Sequence, residues 1–91
     1  MTESRETRLR RLSMRSMRRG IKEMDLILSA FAGARLEAMS DAELDAYEAL
    51  LQENDQALYA WVSGAEAAPE EHLPMIADIR RVVTDGGLLA P

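Results

Sequence analysis

Arg18-Arg19-Gly20-Ile21-Lys22-Glu23-Met24-Asp25 joins an arginine-rich segment to the most apolar run of a 91-residue chain. Its glycine reads as a boundary. A glycine inside a helix costs about 1 kcal/mol relative to alanine, so helical periodicity tends to break or turn at such a residue. Upstream, residues 5–17 read as a first helix. Leu9 and Leu12 share a face there, Met14 and Met17 lie beside it, and Arg8, Arg11, Arg15 and Arg18 fall elsewhere. Downstream, Ile21, Met24, Ile27, Leu28, Phe31 and Ala34 keep the i, i+3, i+4, i+7 spacing of an amphipathic helix over 21 to about 39. Leu26 widens that stripe, as in a central helix touched on several sides. The quoted stretch is therefore a helix–helix junction. Gly20 and Glu23 share a face of the second helix, and Arg19 can pair with Glu23 if the helix runs through Gly20.

Three more helices follow. Ser40-Asp41-Ala42-Glu43 is a capping box, in which the serine hydroxyl accepts from the Glu43 amide and the glutamate returns to the serine amide. It opens a helix over about 41–53 with Leu44, Tyr47, Leu50 and Leu51 inward. Asn54-Asp55 stops that helix and caps a short one over about 56–63, for which Gly64 suits the residue after the C-cap. Pro69-Glu70-Glu71 reads as a helix start, since proline is tolerated and acids are favoured in a first turn. Leu73, Ile76, Ile79 and Val83 carry that fifth helix to about residue 83, and Asp85-Gly86-Gly87 ends it. No strand-like alternation appears. The expected fold is all-α, a five-helix bundle with short loops in one domain spanning 1–91. Its ordered core runs from about 5 to 84, and a short tail covers 85–91.

Charge is strongly asymmetric. Residues 1–22 carry seven Arg and one Lys against Glu3 and Glu6, while residues 23–91 carry three Arg against fourteen acids. A basic arm thus sits on an acidic body, and the net charge is −5. The acidic body argues against broad nucleic-acid affinity, which scales with the phosphates neutralised. The arm resembles a mitochondrial presequence in its Arg and Ser, but Glu3 and Glu6 are foreign to one, and no apolar stretch follows the charges as in a secretory signal. No apolar run approaches the roughly 20 residues that span a bilayer, so no membrane insertion is expected. Cysteine is absent, which excludes disulfides and thiolate metal sites and fits a reducing compartment.

Catalytic signals are missing. His72 is the one histidine, has no convincing nucleophile partner, and reads as a solvated residue of a loop or first turn. The acids of 37–55 lack a calcium-loop pattern, so no metal site is expected. No glycine-rich loop follows a strand, so no nucleotide fingerprint is present. Trp61 and Tyr59 read as core and rim. Met14, Met17, Met24 and Met39 read as core, although methionine near the junction suits an adaptable contact surface. The chain offers surfaces in place of an active site.

Two blocks carry a family resemblance. Arg19-Gly20-Ile21-Lys22-Glu23 with Met24-Asp25 is similar to the R-G-x-x-E-x-D signature of the bacterial succinate dehydrogenase FAD assembly factors, the SdhE-type family. The second block comprises Glu43-Leu44, Tyr47-Glu48-x-Leu50-Leu51 and Asp55-x-x-Leu58-Tyr59-x-Trp61-Val62-x-Gly64, in the family's order and spacing. The sequence departs from relatives at Met17, where an aromatic is common, and at Ala57, since Asp55-Gln56-Ala57-Leu58 stands where Asp-x-Asp-Leu is common. The resemblance implies a compact helical fold and a cytoplasmic, monomeric assembly factor. Such a factor binds the flavoprotein subunit of succinate dehydrogenase, or of fumarate reductase, and promotes covalent attachment of FAD to a client histidine. FAD would then belong to the client and no cofactor to this chain. Carried over, Arg19, Gly20 and Glu23 are the signature residues, Asp25 stands beside them, and Arg18 and Lys22 add steering. Gly20 would allow close approach, while Arg19 and Glu23 would make charge-assisted contacts. Two alternatives remain: an antitoxin-like interaction module, and a small helical DNA-binding protein using the Arg-rich first helix.

Overall fold

The computed structural model describes residues 3–87. Five α-helices follow in order: α1 (Arg5–Met17), α2 (Lys22–Arg35), α3 (Asp41–Leu50), α4 (Asp55–Ser63) and α5 (Leu73–Asp85). Single 3₁₀ turns, Leu36–Ala38 and Glu70–His72, extend α2 and introduce α5. Among the described residues there is no strand, so the expected all-α fold holds. The part of the expected tail at 88–91 lies outside the described residues.

Local chemistry sets the helix ends. Ser4 caps α1 by accepting from the Thr7 amide. The capping box forms at α3: Ser40 Oγ accepts from the Glu43 amide at 3.2 Å, and Glu43 Oε1 accepts from the Ser40 amide at 2.9 Å. That contact with the Ser40 backbone holds the Glu43 carboxyl below its ordinary range. Asn54 caps α4 through the Ala57 amide, and Gly64 ends it with φ 88°, a left-handed value that favours glycine.

α2 is the central element, packed against α1, α4 and α5. Its buried row is Met24, Ile27, Leu28, Phe31 and Ala32. Two residues placed inward by periodicity point elsewhere. Ala34 is exposed, and Leu26 is 53% exposed because it lies about 200° around the helix from Met24. The apolar stripe broadens through Ala32 instead, which is buried. Phe31 meets Tyr47 with ring centroids 5.4 Å apart, joining α2 to α3. Beneath them the Tyr47 hydroxyl lies 2.6 Å from Ser16 Oγ, which donates to the Leu12 carbonyl at 2.8 Å. Since the single Ser16 proton goes to Leu12, Tyr47 donates to Ser16. A buried polar chain therefore ties α3 to α1, and burial pushes the Tyr47 phenol up to about 12.

Other departures follow from tertiary packing. Met24 and Met39 are core, whereas Met14 and Met17 are 43% and 56% exposed. Leu73 opens α5 and is exposed, leaving Met75, Ile76, Ile79 and Val83 as the buried row. His72, read from sequence as solvated, is only 5% exposed. The 3₁₀ turn seats its ring beside Trp61, centroids 5.7 Å apart, with Nε2 at 2.9 Å from Glu53 Oε2.

Candidate functional site

The arginine-rich helix does not project as a free arm. Arg5 binds Asp41, Arg8 binds Asp45 and Glu48, and Arg11 binds Glu48 and Glu3. Positions 5, 8 and 11 advance along one side of α1 and meet an acidic row on α3 at 41, 45 and 48. The Arg11 and Arg8 hydrogen bonds hold the Glu48 carboxyl below its usual range, and Arg11 does the same for Glu3. These pairs remain in contact with solvent, so each contributes on the order of 1 kcal/mol or less. Their larger effect is to neutralise one side of α1 within the fold, which removes much of the isolated basic face a DNA-binding reading requires.

The signature stretch forms a hydrogen-bonded corner. α1 ends at Met17 and α2 begins at Lys22, so the helix does not run through Gly20 and the Arg19–Glu23 pair does not form. Arg19 turns inward instead. Its Nε donates to Asp55 Oδ1 at 2.6 Å, and its two terminal nitrogens donate to the carbonyls of Leu51 and Glu53, each at 3.0 Å. The Arg19 side chain is 10% exposed and that of Asp55 15%. Helix electrostatics favours both placements. Arg19 meets carbonyls just past the C-terminus of α3, and Asp55 stands in the first turn of α4, where a helix favours an anion.

Asp55 also reaches the next residue of the corner, because its Oδ2 accepts from the Gly20 amide. A Cβ at position 20 would stand 2.9 Å from that oxygen, closer than side chains pack. Gly20, although exposed, therefore also has an internal reason to be glycine, one that sequence alone does not show. Asp25 completes the corner: its carboxylate accepts from the Arg19 amide while its own amide donates to the Ile21 carbonyl. That contact secures the entry to α2, whose N-cap, Ile21, has no side-chain cap of its own.

The six residues singled out in the sequence thus divide in two. Arg19 and Asp25 build the corner from within. Arg18, Lys22 and Glu23 are exposed around Gly20, and among the described residues none of the three has an ion-pair partner. Asp55 is the organising residue that sequence reasoning did not connect to the signature. Its one signal was membership of the second block, 36 positions from Arg19. Glu53 was missed likewise. Its carbonyl accepts from Arg19 while its carboxylate faces His72, which links the corner to the start of α5.

Residues 10–83, which contain both Arg19 and Asp55, match the protein family described as flavinator of succinate dehydrogenase. The chain belongs to that family. A relative from Meyerozyma guilliermondii, named succinate dehydrogenase assembly factor 2, mitochondrial, is 48% identical over 61 residues, which is 67% of this chain and 45% of the relative. The Candida glabrata protein of the same name is 46% identical over 63 residues, 69% of this chain and 41% of the relative. The FAD assembly factor SdhE of Legionella pneumophila (strain Paris) is 38% identical over 63 residues, 69% of this chain and 80% of the relative. The chain spans less than half the length of the mitochondrial relatives and most of the bacterial one. The matched region holds both sequence blocks, and the fold brings the two into contact through Asp55.

Proposed function

We propose that this protein is a non-catalytic assembly factor that binds the flavoprotein subunit of succinate dehydrogenase and promotes covalent attachment of FAD to it. One observation carries this reading: the Arg19–Asp55 clamp fixes the signature corner so that Arg18, Lys22 and Glu23 stand outward around an exposed Gly20. A surface whose backbone is already ordered loses little entropy on binding, so the contacts it makes are not offset by loop ordering. Lys22 and Glu23 offer opposite charges to a partner at the start of α2, on either side of a backbone that a partner can approach closely.

The chemistry belongs to the client. FAD is assigned to the flavoprotein, in keeping with a sequence that lacks a glycine-rich phosphate loop. The factor acts by binding one client conformation better than others, which raises the population in which flavin and attachment residue are aligned. Names borne by relatives, among them FAD assembly factor and succinate dehydrogenase assembly factor, support this class of activity. Among the described residues no helix is long and apolar enough to cross a membrane. We assign the action to the bacterial cytoplasm, with the factor monomeric when free.

The test is deletion of the gene in its native cell. In-gel flavin fluorescence of the succinate dehydrogenase flavoprotein should disappear and return when the gene is restored. Undiminished covalent flavin in the deletion strain would refute the proposal.

A further inference from the structure

The arginines of α1 have two fates. Those on the α3 side are bound by acids, as described above. Next to that row Arg10, Met14 and Arg18 recur every four residues on the outward side, with Met17 flanking them. Arg10 reaches only Glu6, one turn back on the same helix, at 3.5 Å in a pair whose side chains are 70% and 86% exposed. Arg18 has no ion-pair partner among the described residues. Between these cations stand two methionines in water. Unbranched and polarisable, methionine moulds itself to a partner surface more readily than a branched side chain does. A groove of about 450 Å³ runs along α1 from Thr7 to Arg19, walled by Arg10, Met14 and Arg18 and, on the α3 side, by Arg11 and Arg15, so it reaches the signature corner while Met17 stands just outside it.

We propose that the outward face of α1 docks an acidic segment of the flavoprotein client, with an apolar side chain of that segment seated against Met14 and Met17 and carboxylates against Arg10 and Arg18. The inference rests on the function proposed above and extends the contact surface one helix beyond the signature. Charge selects the occupant. Beyond residue 22 the chain holds fourteen acids, so its body repels an acidic segment and the α1 face attracts it. A duplex is a poorer fit, because affinity for a phosphate lattice grows with the number of aligned cations, and here methionines interrupt the row. The division of labour follows from position: the corner fixes register and the α1 face adds area and steering.

The experiment titrates the purified apo-flavoprotein subunit of succinate dehydrogenase with the full chain at about 50 and about 300 mM salt, where screening lengths differ more than twofold. Wild type is compared with Arg10→Gln/Arg18→Gln, with the charge-retaining Arg10→Lys/Arg18→Lys, and with Met14→Ser. The Gln pair should melt as wild type does, bind roughly tenfold or more weakly at low salt, and lose affinity less steeply as salt rises. The Lys pair should recover most of the binding, and Met14→Ser should weaken it at both salts. Equal affinity and equal salt dependence for wild type and the Gln pair would overturn the α1 surface, Arg18 included, while leaving the proposed function standing on Lys22 and Glu23. Wild-type chain that fails to bind the flavoprotein would overturn both. Binding of duplex DNA at physiological salt that the Gln pair abolishes would overturn the assignment of this face to the client.

Discussion

Asp55→Ala should destabilise the protein more than any other single charge deletion among the ion pairs described here. The Asp55 carboxylate makes a 2.6 Å charge-assisted bond to Arg19 Nε and accepts the Gly20 amide, and the Arg19 and Asp55 side chains are only 10% and 15% exposed. Removing one partner of a fully buried pair costs about 3–5 kcal/mol because the other charge is stranded. Arg19 keeps two carbonyl acceptors and a little solvent, which lowers the expected loss to about 2–4 kcal/mol. In a domain of this size each kcal/mol moves the melting temperature by about 4–8 °C, so Tm should fall by roughly 10–25 °C. Thermal melts followed by far-UV circular dichroism measure this directly. A double-mutant cycle with Arg19→Met should return a coupling of at least about 1.5 kcal/mol, since the two residues touch. If Asp55→Ala melted within about 3 °C of wild type, the clamp would not hold the corner and the inward reading of Arg19 would be wrong.

Gly20→Ala should destabilise by about 1–2 kcal/mol, because its Cβ would meet Asp55 Oδ2 at 2.9 Å, and the loss should vanish in an Asp55→Ala background. A substitution equally costly in both backgrounds would place its cost elsewhere. Tyr47→Phe should cost about 0.5–1.5 kcal/mol in a chemical denaturation curve, the value of the bond to Ser16. The phenol is raised from 10 to about 12, so the neutral ring favours the fold fully below pH 10. That advantage, about 1–3 kcal/mol, is lost as pH rises from 10 to 12, and Tyr47→Phe should remove this alkaline slope. The lowered carboxyls of Glu3, Glu43 and Glu48 act in the opposite direction. Their contribution is complete above the ordinary carboxylate pKa near 4.5 and falls away as pH drops through the depressed values, so stability should decline below about pH 4.5, and less steeply in Glu48→Gln.

Much of the fold was legible because its punctuation is local. The Ser40–Glu43 box, the Asn54 cap and Gly64 each act within a few residues, and the structure uses all three. Which side of a helix widens its buried stripe depends on neighbours that periodicity does not contain. That is why Ala32 is buried and Leu26 exposed. The bipolar charge pattern was visible too, yet a composition difference cannot say whether opposite charges face each other. Here Arg5, Arg8 and Arg11 find their acids 36 to 40 positions away on α3. The same distance hid the corner. Arg19 and Glu23 have ideal helical spacing, but Gly20 breaks the helix and Asp55 takes the guanidinium. His72 escaped because its burial depends on Glu53 and Trp61, whose approach only the folded chain creates.

The central claim is that the corner has a structural inside and a functional outside, and Glu23 tests it most directly. Glu23 is exposed and has no ion-pair partner among the described residues, so Glu23→Ala should change stability by no more than about 0.5 kcal/mol. Loss of a charge-assisted contact to the client, roughly 1.5–3 kcal/mol, should weaken binding about ten- to a hundredfold. The measurement is covalent flavin fluorescence of the succinate dehydrogenase flavoprotein in cells carrying Glu23→Ala, read beside the melting curve of the purified variant. The account predicts a client depleted of covalent flavin and a wild-type melting curve. Normal flavinylation, or a large fall in melting temperature, would contradict it.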